Sequence, residues 1–214
     1  EVLDLGLCGT EEMYHATTHF EADGGIEVTA SHNPMDYNGM KMVRRGSAPL
    51  DAATGLSAIR ALAESEAFAA PRPGGVRKTA TGAREAYVET VLSFVDIPAL
   101  RPMTILVNAG NGTAGPTFDA IAAALETQGA PLTFIRHHHD PDGTFPNGIP
   151  NPLLPENQPL TADAVVAAGA DMGVAWDGDF DRCFLFDREG LFVPGEYVVG
   201  LLAAAFLTRE PGAS

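Results

Sequence analysis

Apolar and polar positions alternate along this chain with two periods, and each period predicts a different element. Glu1 to Leu7 reads as a strand. Gly9-Thr-Glu-Glu12 reads as a helix start, with Thr10 able to cap and the acids suited to a helix N-terminus. Gly25 to Ala30 and Met40 to Arg44 are predicted strands, separated by the polar loop Ser31 to Gly39. Ala53 to Phe68 is a predicted helix, and the Pro/Gly-rich Ala69 to Val76 is the best linker. A helix over Arg84 to Asp96 would gather Tyr87, Val88, Val91, Leu92 and Val95 on one face. Thr104 to Asn108, the helix Pro116 to Gln128 and Pro131 to Arg136 form a βαβ unit, whose parallel strands require such a crossover. Two further predicted strands, Ala170 to Trp176 and Cys183 to Phe186, flank an acidic loop, and a new helical pattern runs from Phe192 to Leu207. Strands alternating with helices define an α/β fold.

Composition narrows the function classes. The 214 residues suffice for one large domain or two smaller ones, and 45% hydrophobic content permits a full core. A net charge of -15 sets the chain against a polyphosphate backbone, so nucleic acid is not an expected partner. The acidity also disfavours anionic membranes, and no apolar run is long enough to span a bilayer. Cys8 and Cys183 lie far apart, each in an apolar setting. They read as two buried free thiols of a reducing, cytoplasmic compartment.

The acidic loop carries the strongest chemical signal. In Asp177-Gly-Asp-Phe-Asp-Arg182 three carboxylates alternate with other residues. In an extended loop Asp177, Asp179 and Asp181 would face one way and converge as hard oxygen ligands. Three such anions repel one another unless a cation sits among them, which predicts a divalent metal such as Mg²⁺ with room for an outside ligand. An EF-hand would need Gly at its sixth position and Glu at its twelfth, where this chain has Arg182 and Arg188. A phosphatase with an aspartate nucleophile leaves the third aspartate and the arginine unexplained. A solvated acidic turn is the plain alternative, but carboxylates clustered at a strand end of an α/β protein favour a ligand site.

A second constellation is Thr29-Ala-Ser-His-Asn-Pro34. Ser31 follows a predicted strand, with His32, Asn33 and Lys41 supplying donors or positive charge nearby. The motif reads either as an ordinary turn or as a phosphate carrier held among cationic groups. The Ser31–His32 pair is weak evidence for a protease-like dyad, because adjacent side chains seldom face each other. Two other segments carry less. The turn Ala109 to Gly115 matches neither a P-loop nor G-x-G-x-x-G, so its glycines are assigned to tight strand–helix packing. His137, His138 and His139 cannot all face one ion on regular structure and read as a solvated strand end. The irregular stretch Asp142 to Leu154 is long enough to have packing of its own. A serine bearing a phosphoryl group needs its charge neutralised, and a metal on the three aspartates could bind one of its oxygens. Ser31 and the aspartates lie on opposite sides of the linker, which puts the expected site in an interdomain cleft.

Thr29 to Pro34, Tyr37-Asn-Gly-Met-Lys41 and Asp177 to Arg182 together resemble the α-D-phosphohexomutases, in particular the bacterial phosphomannomutase/phosphoglucomutase branch. The resemblance extends to Leu5 to Glu12 and Pro141 to Pro152 and so covers nearly the whole chain. It implies mixed sheets sandwiched by helices, with the later part of a first domain in residues 1–70, a second domain in 71–193 and the opening of a third in 194–214. It implies that Ser31 is a phosphoserine and that Asp177, Asp179 and Asp181 hold Mg²⁺ with a phosphate oxygen of Ser31. Arg182 would help neutralise the phosphoryl group, and His32 and Lys41 resemble residues of proton transfer and electrostatic support. The implied reaction moves phosphate between O1 and O6 of mannose or glucose phosphate through a hexose 1,6-bisphosphate. Glucosamine phosphate fits the resemblance less well.

Both ends read as cut, so the chain is expected to be a piece of a longer protein with negligible turnover alone. The sugar-reading loop of the third domain is not in the sequence, which holds no Glu-x-Ser-Gly-His. Two other classes stay open: a non-catalytic binding domain that retains the loops, and a metal-dependent phosphatase using Ser31.

Overall fold

The structure is a computed structural model and describes residues 1–212. Its centre is a five-stranded sheet in the order β10-β9-β8-β6-β7. These strands are β6 (Met103–Asn108), β7 (Leu132–His137), β8 (Met172–Trp176), β9 (Cys183–Asp187) and β10 (Phe192–Val193). β6 runs parallel to both β7 and β8, whereas β9 and β10 run antiparallel, so the sheet is mixed. Helix α4 (Ala114–Thr127) covers one face and α5 (Pro159–Ala168) the other. Period-two alternation explains the arrangement: Leu106 joins Val165, Ala175 and Phe186 on the α5 side, and its neighbour Val107 joins Phe118 and Ala122 on the α4 side. The resulting helix–sheet–helix sandwich is the α/β architecture expected from the alternating pattern, and the βαβ unit lies at its centre.

The first part of the chain forms smaller pieces. β2 (Gly24–Val28), β3 (Met40–Arg44) and β4 (Ala48–Pro49) make a three-stranded antiparallel sheet beside α1 (Thr10–His19). β1 (Val2–Asp4) pairs in parallel with β5 (Arg77–Thr79), which follows the exposed linker. A backbone ladder therefore joins residues on either side of that linker. α1 also packs against α3 (Ala83–Leu92), and α3 against α4.

Several elements differ from the sequence reading for identifiable reasons. Gly9, not Thr10, caps α1: its N–H donates to Glu12 Oε2 at 2.8 Å. The Phe180 ring fills the space a side chain would need, since a Cβ on Gly9 would lie 2.7 Å from Phe180 Cδ1. The helix expected from residue 53 opens as a wide turn over Ala52–Leu56, broken by non-helical Gly55. α2 proper (Ser57–Ser65) ends where Glu66 turns left-handed. α3 stops at Leu92, so Val95 lies beyond it in the turn before Pro98. Cys8 is buried, but Cys183 is exposed at the first position of β9, on the face away from the core that Phe186 enters. α6 (Gly195–Arg209) follows β10 and buries none of its residues. No helix among the described residues is long and apolar enough to cross a membrane.

Candidate active site

β8 delivers Asp177 to the end of the central sheet, and β9 leaves again at Cys183. Between them the chain folds back on itself, with the Phe180 N–H donating to the Asp177 carbonyl at 3.2 Å and Phe180 at φ 67°. This reversal, and not the alternation of an extended loop, brings the aspartates together. One carboxylate oxygen from each of Asp177, Asp179 and Asp181 lies within 4.8 Å of the others. Asp177 is 0% exposed and Asp179 2%. Phe180 packs edge-on against Trp176, which anchors the left-handed residue to the strand end.

The serine loop meets this turn from the other side. Ser31 Oγ donates to Asp177 Oδ2 at 3.0 Å across 146 positions of sequence. Ser31 itself is left-handed, with φ 55°. That conformation brings its hydroxyl within 3.2 Å of His32 Nδ1, so the adjacent pair does face one another, contrary to expectation. Arg182 Nη2 lies 2.5 Å from both Ser31 Oγ and Asp177 Oδ2 and also donates to His32 Nδ1. An arginine N–H only donates, so His32 Nδ1 accepts. Lys41, one strand over on β3, reaches Asp179 Oδ2 at 2.7 Å and Asp181 Oδ2 at 2.5 Å. Ser31, His32, Lys41, Arg182 and the three aspartates thus form one cluster at the junction of the two halves of the chain.

Charge balance sharpens what the cluster can do. Two cations stand against three carboxylates, leaving excess negative charge at a largely buried point. Burial and the neighbouring Asp179 raise the Asp177 carboxyl above its ordinary range. Burial also works against the charge of Asp179, but Lys41 and the Thr29 hydroxyl outweigh it and hold that carboxyl low. Burial likewise opposes the Lys41 charge, yet its bonds to Asp179 and Asp181 prevail and raise it. Lys41 therefore stands here as a cation; the lowered value that a role as proton donor or acceptor would need is not present. Asp179 Oδ1 is buried with no hydrogen-bond partner. A partnerless, buried carboxylate oxygen beside two more carboxylates fits a hard divalent cation such as Mg²⁺, which takes oxygen ligands.

Three contributors were not assigned to the site from the sequence. The Thr29 hydroxyl accepts the Ser31 N–H at 2.8 Å and donates to Asp179 Oδ2 at 2.9 Å, tying carrier to triad. Thr10 donates its N–H to the Asp179 carbonyl at 3.0 Å and accepts from Lys41 Nζ at 3.1 Å. The glycine-rich turn packs directly beneath the metal loop: Thr113 N–H donates to the Gly178 carbonyl at 3.0 Å. A Cβ on Gly112 would sit 2.5 Å from that same oxygen, and one on Gly110 would sit 2.3 Å from Pro150 Cβ. These glycines therefore pack tightly against neighbouring loops and not, as expected, between strand and helix. Thr29 lay within the serine motif, two residues before Ser31, and that position was the available hint. The histidine run does not join the site. His139 Nε2 pairs with Asp119 at 3.0 Å, and the His137 and His138 rings lie against one another at a tilt of 37°, both half-buried. Among the described residues, the aspartate triad is the one group of His, Cys, Asp or Glu with metal-ligand spacing.

A cleft of about 430 Å³ opens beside Ser31 and Asp179, lined by the β1 and β2 segments, Tyr37, Thr113 and Phe145. The volume suits a small polar ligand.

Comparisons with known proteins bear on the family and the fold. Residues 1–70 match the family model for α/β/α domain I of phosphoglucomutase/phosphomannomutase, and residues 85–190 match that for domain II. Phosphomannomutases of Salmonella montevideo and Escherichia coli are 56% and 54% identical over 216 and 214 residues, covering 100% of this chain and 47% of their own. Phosphohexose mutases of Xanthomonas campestris pv. campestris are 55% identical over 212 residues, covering 99% of this chain and 46% of theirs. A crystal structure of a phosphoglucomutase/phosphomannomutase family protein from Burkholderia thailandensis superposes with a TM-score of 0.85 at 32% identity, over 100% of this chain and 46% of that one. The chain spans about half the length of the curated relatives it matches.

Proposed function

The chain belongs to the phosphoglucomutase/phosphomannomutase family, and from that premise we propose that it carries the phosphoryl-transfer half of a phosphohexomutase. The protein would move phosphate reversibly between O1 and O6 of a mannose or glucose phosphate. The observation that carries this reading is the 3.0 Å approach of Ser31 Oγ to Asp177, inside a three-aspartate cluster crossed by Arg182 and Lys41.

The proposed cycle starts with phosphate on Ser31. A sugar hydroxyl attacks the phosphorus, the bond to Ser31 Oγ breaks, and a hexose 1,6-bisphosphate results. The bisphosphate turns over in the cleft. Ser31 Oγ then attacks its other phosphate, and the sugar leaves with phosphate at the exchanged position. Such transfers pass through a loose transition state, so placement and charge stabilisation outweigh strong base catalysis. Arg182, 2.5 Å from Ser31 Oγ, is suited to neutralise the phosphoryl oxygens. Lys41 serves as a fixed cation beside Asp179 and Asp181. The proton of the attacking sugar hydroxyl ends on Ser31 Oγ as the bond to phosphorus breaks, and goes back to the sugar oxygen in the second transfer. His32, its Nδ1 3.2 Å from Ser31 Oγ and accepting from Arg182, helps place that oxygen. Asp177, Asp179 and Asp181 would hold Mg²⁺ together with a phosphate oxygen of Ser31. Bound there, the ion would draw electron density from the phosphoryl group and ease departure of the serine oxygen.

Domain limits at 1–70, 71–193 and 194–214 follow from the linker and from the strand end at Val193, and a cytoplasmic location fits two free thiols. The test is the product. Intact protein with Mg²⁺, a trace of hexose 1,6-bisphosphate and mannose or glucose 1-phosphate should yield the 6-phosphate without net release of inorganic phosphate. Release of inorganic phosphate would favour a phosphatase. No turnover and no phosphate on Ser31 would favour a binding domain.

A further inference from the structure

Glu12 is a buried carboxylate that the proposed chemistry does not use. It lies on the first turn of α1, only 4% exposed, and its bonds run in three directions. Oε2 accepts the Gly9 N–H at 2.8 Å and the Thr117 hydroxyl of α4 at 2.6 Å. Oε1 accepts Arg84 Nε of α3 at 2.9 Å, and Arg84 Nη2 donates to the Leu7 carbonyl at 2.8 Å. Thr117 is itself 0% exposed. A charged group this buried needs its partners satisfied, and charge-assisted bonds of this length are the strong kind.

What these bonds hold leads to the metal loop. The segment they secure, Gly9-Thr10, presents the Thr10 N–H to the Asp179 carbonyl at 3.0 Å and the Thr10 hydroxyl to Lys41 at 3.1 Å. Gly9 also abuts Phe180, in the centre of the aspartate turn. We infer that Glu12 is a positioning residue: anchored to α3 and α4, it sets where the Gly9-Thr10 segment meets Asp179, and so fixes the aspartate triad relative to Lys41 and Ser31. The inference rests on the metal-site reading above.

The test uses the intact protein and two shape-conserving substitutions. Thr117→Val removes the hydroxyl donor at constant volume, and Glu12→Gln removes the charge at constant shape. Mg²⁺ binding is measured by calorimetry without sugar, at a temperature where melting curves show every variant folded. Both variants should bind Mg²⁺ about tenfold more weakly, the lower end of what loss of an outer ligand-orienting contact costs, and Thr117→Ser should restore the wild-type value. Mg²⁺ affinity unchanged in both folded variants would overturn the inference, whatever happens to the melting temperature. Wild-type protein that binds no Mg²⁺ would overturn it together with the metal centre. Weakened Mg²⁺ binding with serine rescue, in a protein that isomerises no sugar phosphate, would uphold the positioning role and count against the mutase reading alone.

Discussion

Replacing Gly112 by alanine perturbs the site through backbone sterics alone. The added Cβ would stand 2.5 Å from the Gly178 carbonyl oxygen and 2.9 Å from its Cα. Both are backbone atoms, so no rotamer change can relieve the overlap. Ordinary contact begins near 3.4 Å, a shortfall of about 0.9 Å. The Gly178 backbone has little room to retreat, because a Cβ built on it would itself fall 2.3 Å from the Ser31 carbonyl oxygen. The strain must therefore displace the metal loop relative to Ser31. Overpacking of this kind costs about 1–3 kcal/mol of stability. A displacement near 1 Å between reacting groups costs on the order of 100-fold in rate. The expected result is a modest fall in melting temperature with a roughly 100-fold loss of kcat for isomerisation in the intact protein. Gly75→Ala is the control, since a Cβ there meets nothing within 4 Å. The assay is coupled formation of hexose 6-phosphate at saturating Mg²⁺, with melting curves run in parallel. Wild-type kcat in Gly112→Ala would refute the reasoning, because the loop would then tolerate a displacement that this account forbids.

Other outcomes follow from the same geometry. Ser31→Ala should abolish isomerisation and remove the phosphorylated species from intact-mass spectra, while the melting temperature changes little. Thr29→Val leaves the Ser31 N–H and an oxygen of Asp179 without the shared hydroxyl, which costs about 1–3 kcal/mol as an unmet buried polar pair; chemical denaturation checks it, with Thr29→Ser as the rescue. Phe186→Ala empties a side chain that is 1% exposed between β9 and α5 and should cost about 3–5 kcal/mol by the same measurement. Burial pushes Glu27 up from the ordinary 4.5 to about 7, with Cys8 as its thiol partner. A carboxyl raised on folding binds its proton more tightly in the native state, so its contribution to stability is present at low pH and is lost as pH rises from about 4.5 through about 7. Melting temperatures recorded from pH 5 to 8 should show this decline in wild type and a flatter profile in Glu27→Gln.

Much of the frame was readable from local pattern. Short apolar segments marked β6 and β8 as strands, and within β6 the neighbours Leu106 and Val107 enter opposite cores. The glycines after β6 signalled close packing, and Gly112 lies against Gly178. The errors also have local causes. Gly9 takes the cap from Thr10 because the Glu12 carboxylate turns back to its N–H, and Phe180, far away in sequence, leaves no room there for a side chain. Cys183 was read as buried from apolar neighbours, but it is exposed: it opens β9 opposite Trp176, at the end of the strand on the α4 side of the sheet.

By itself the sequence determined which residue types the chain could offer: three aspartates in one turn, a serine after a strand, and a lysine and an arginine near them. Those are properties of short segments, and sterics between near neighbours decide them. Only the tertiary structure decided that Ser31 Oγ meets Asp177 across 146 positions, that Lys41 spans Asp179 and Asp181, and that Thr29 bonds to both carrier and triad. Such meetings depend on how α1, the serine loop and the central sheet pack against one another. Contacts so distant along the chain are set by burial and shape, which no local spacing encodes.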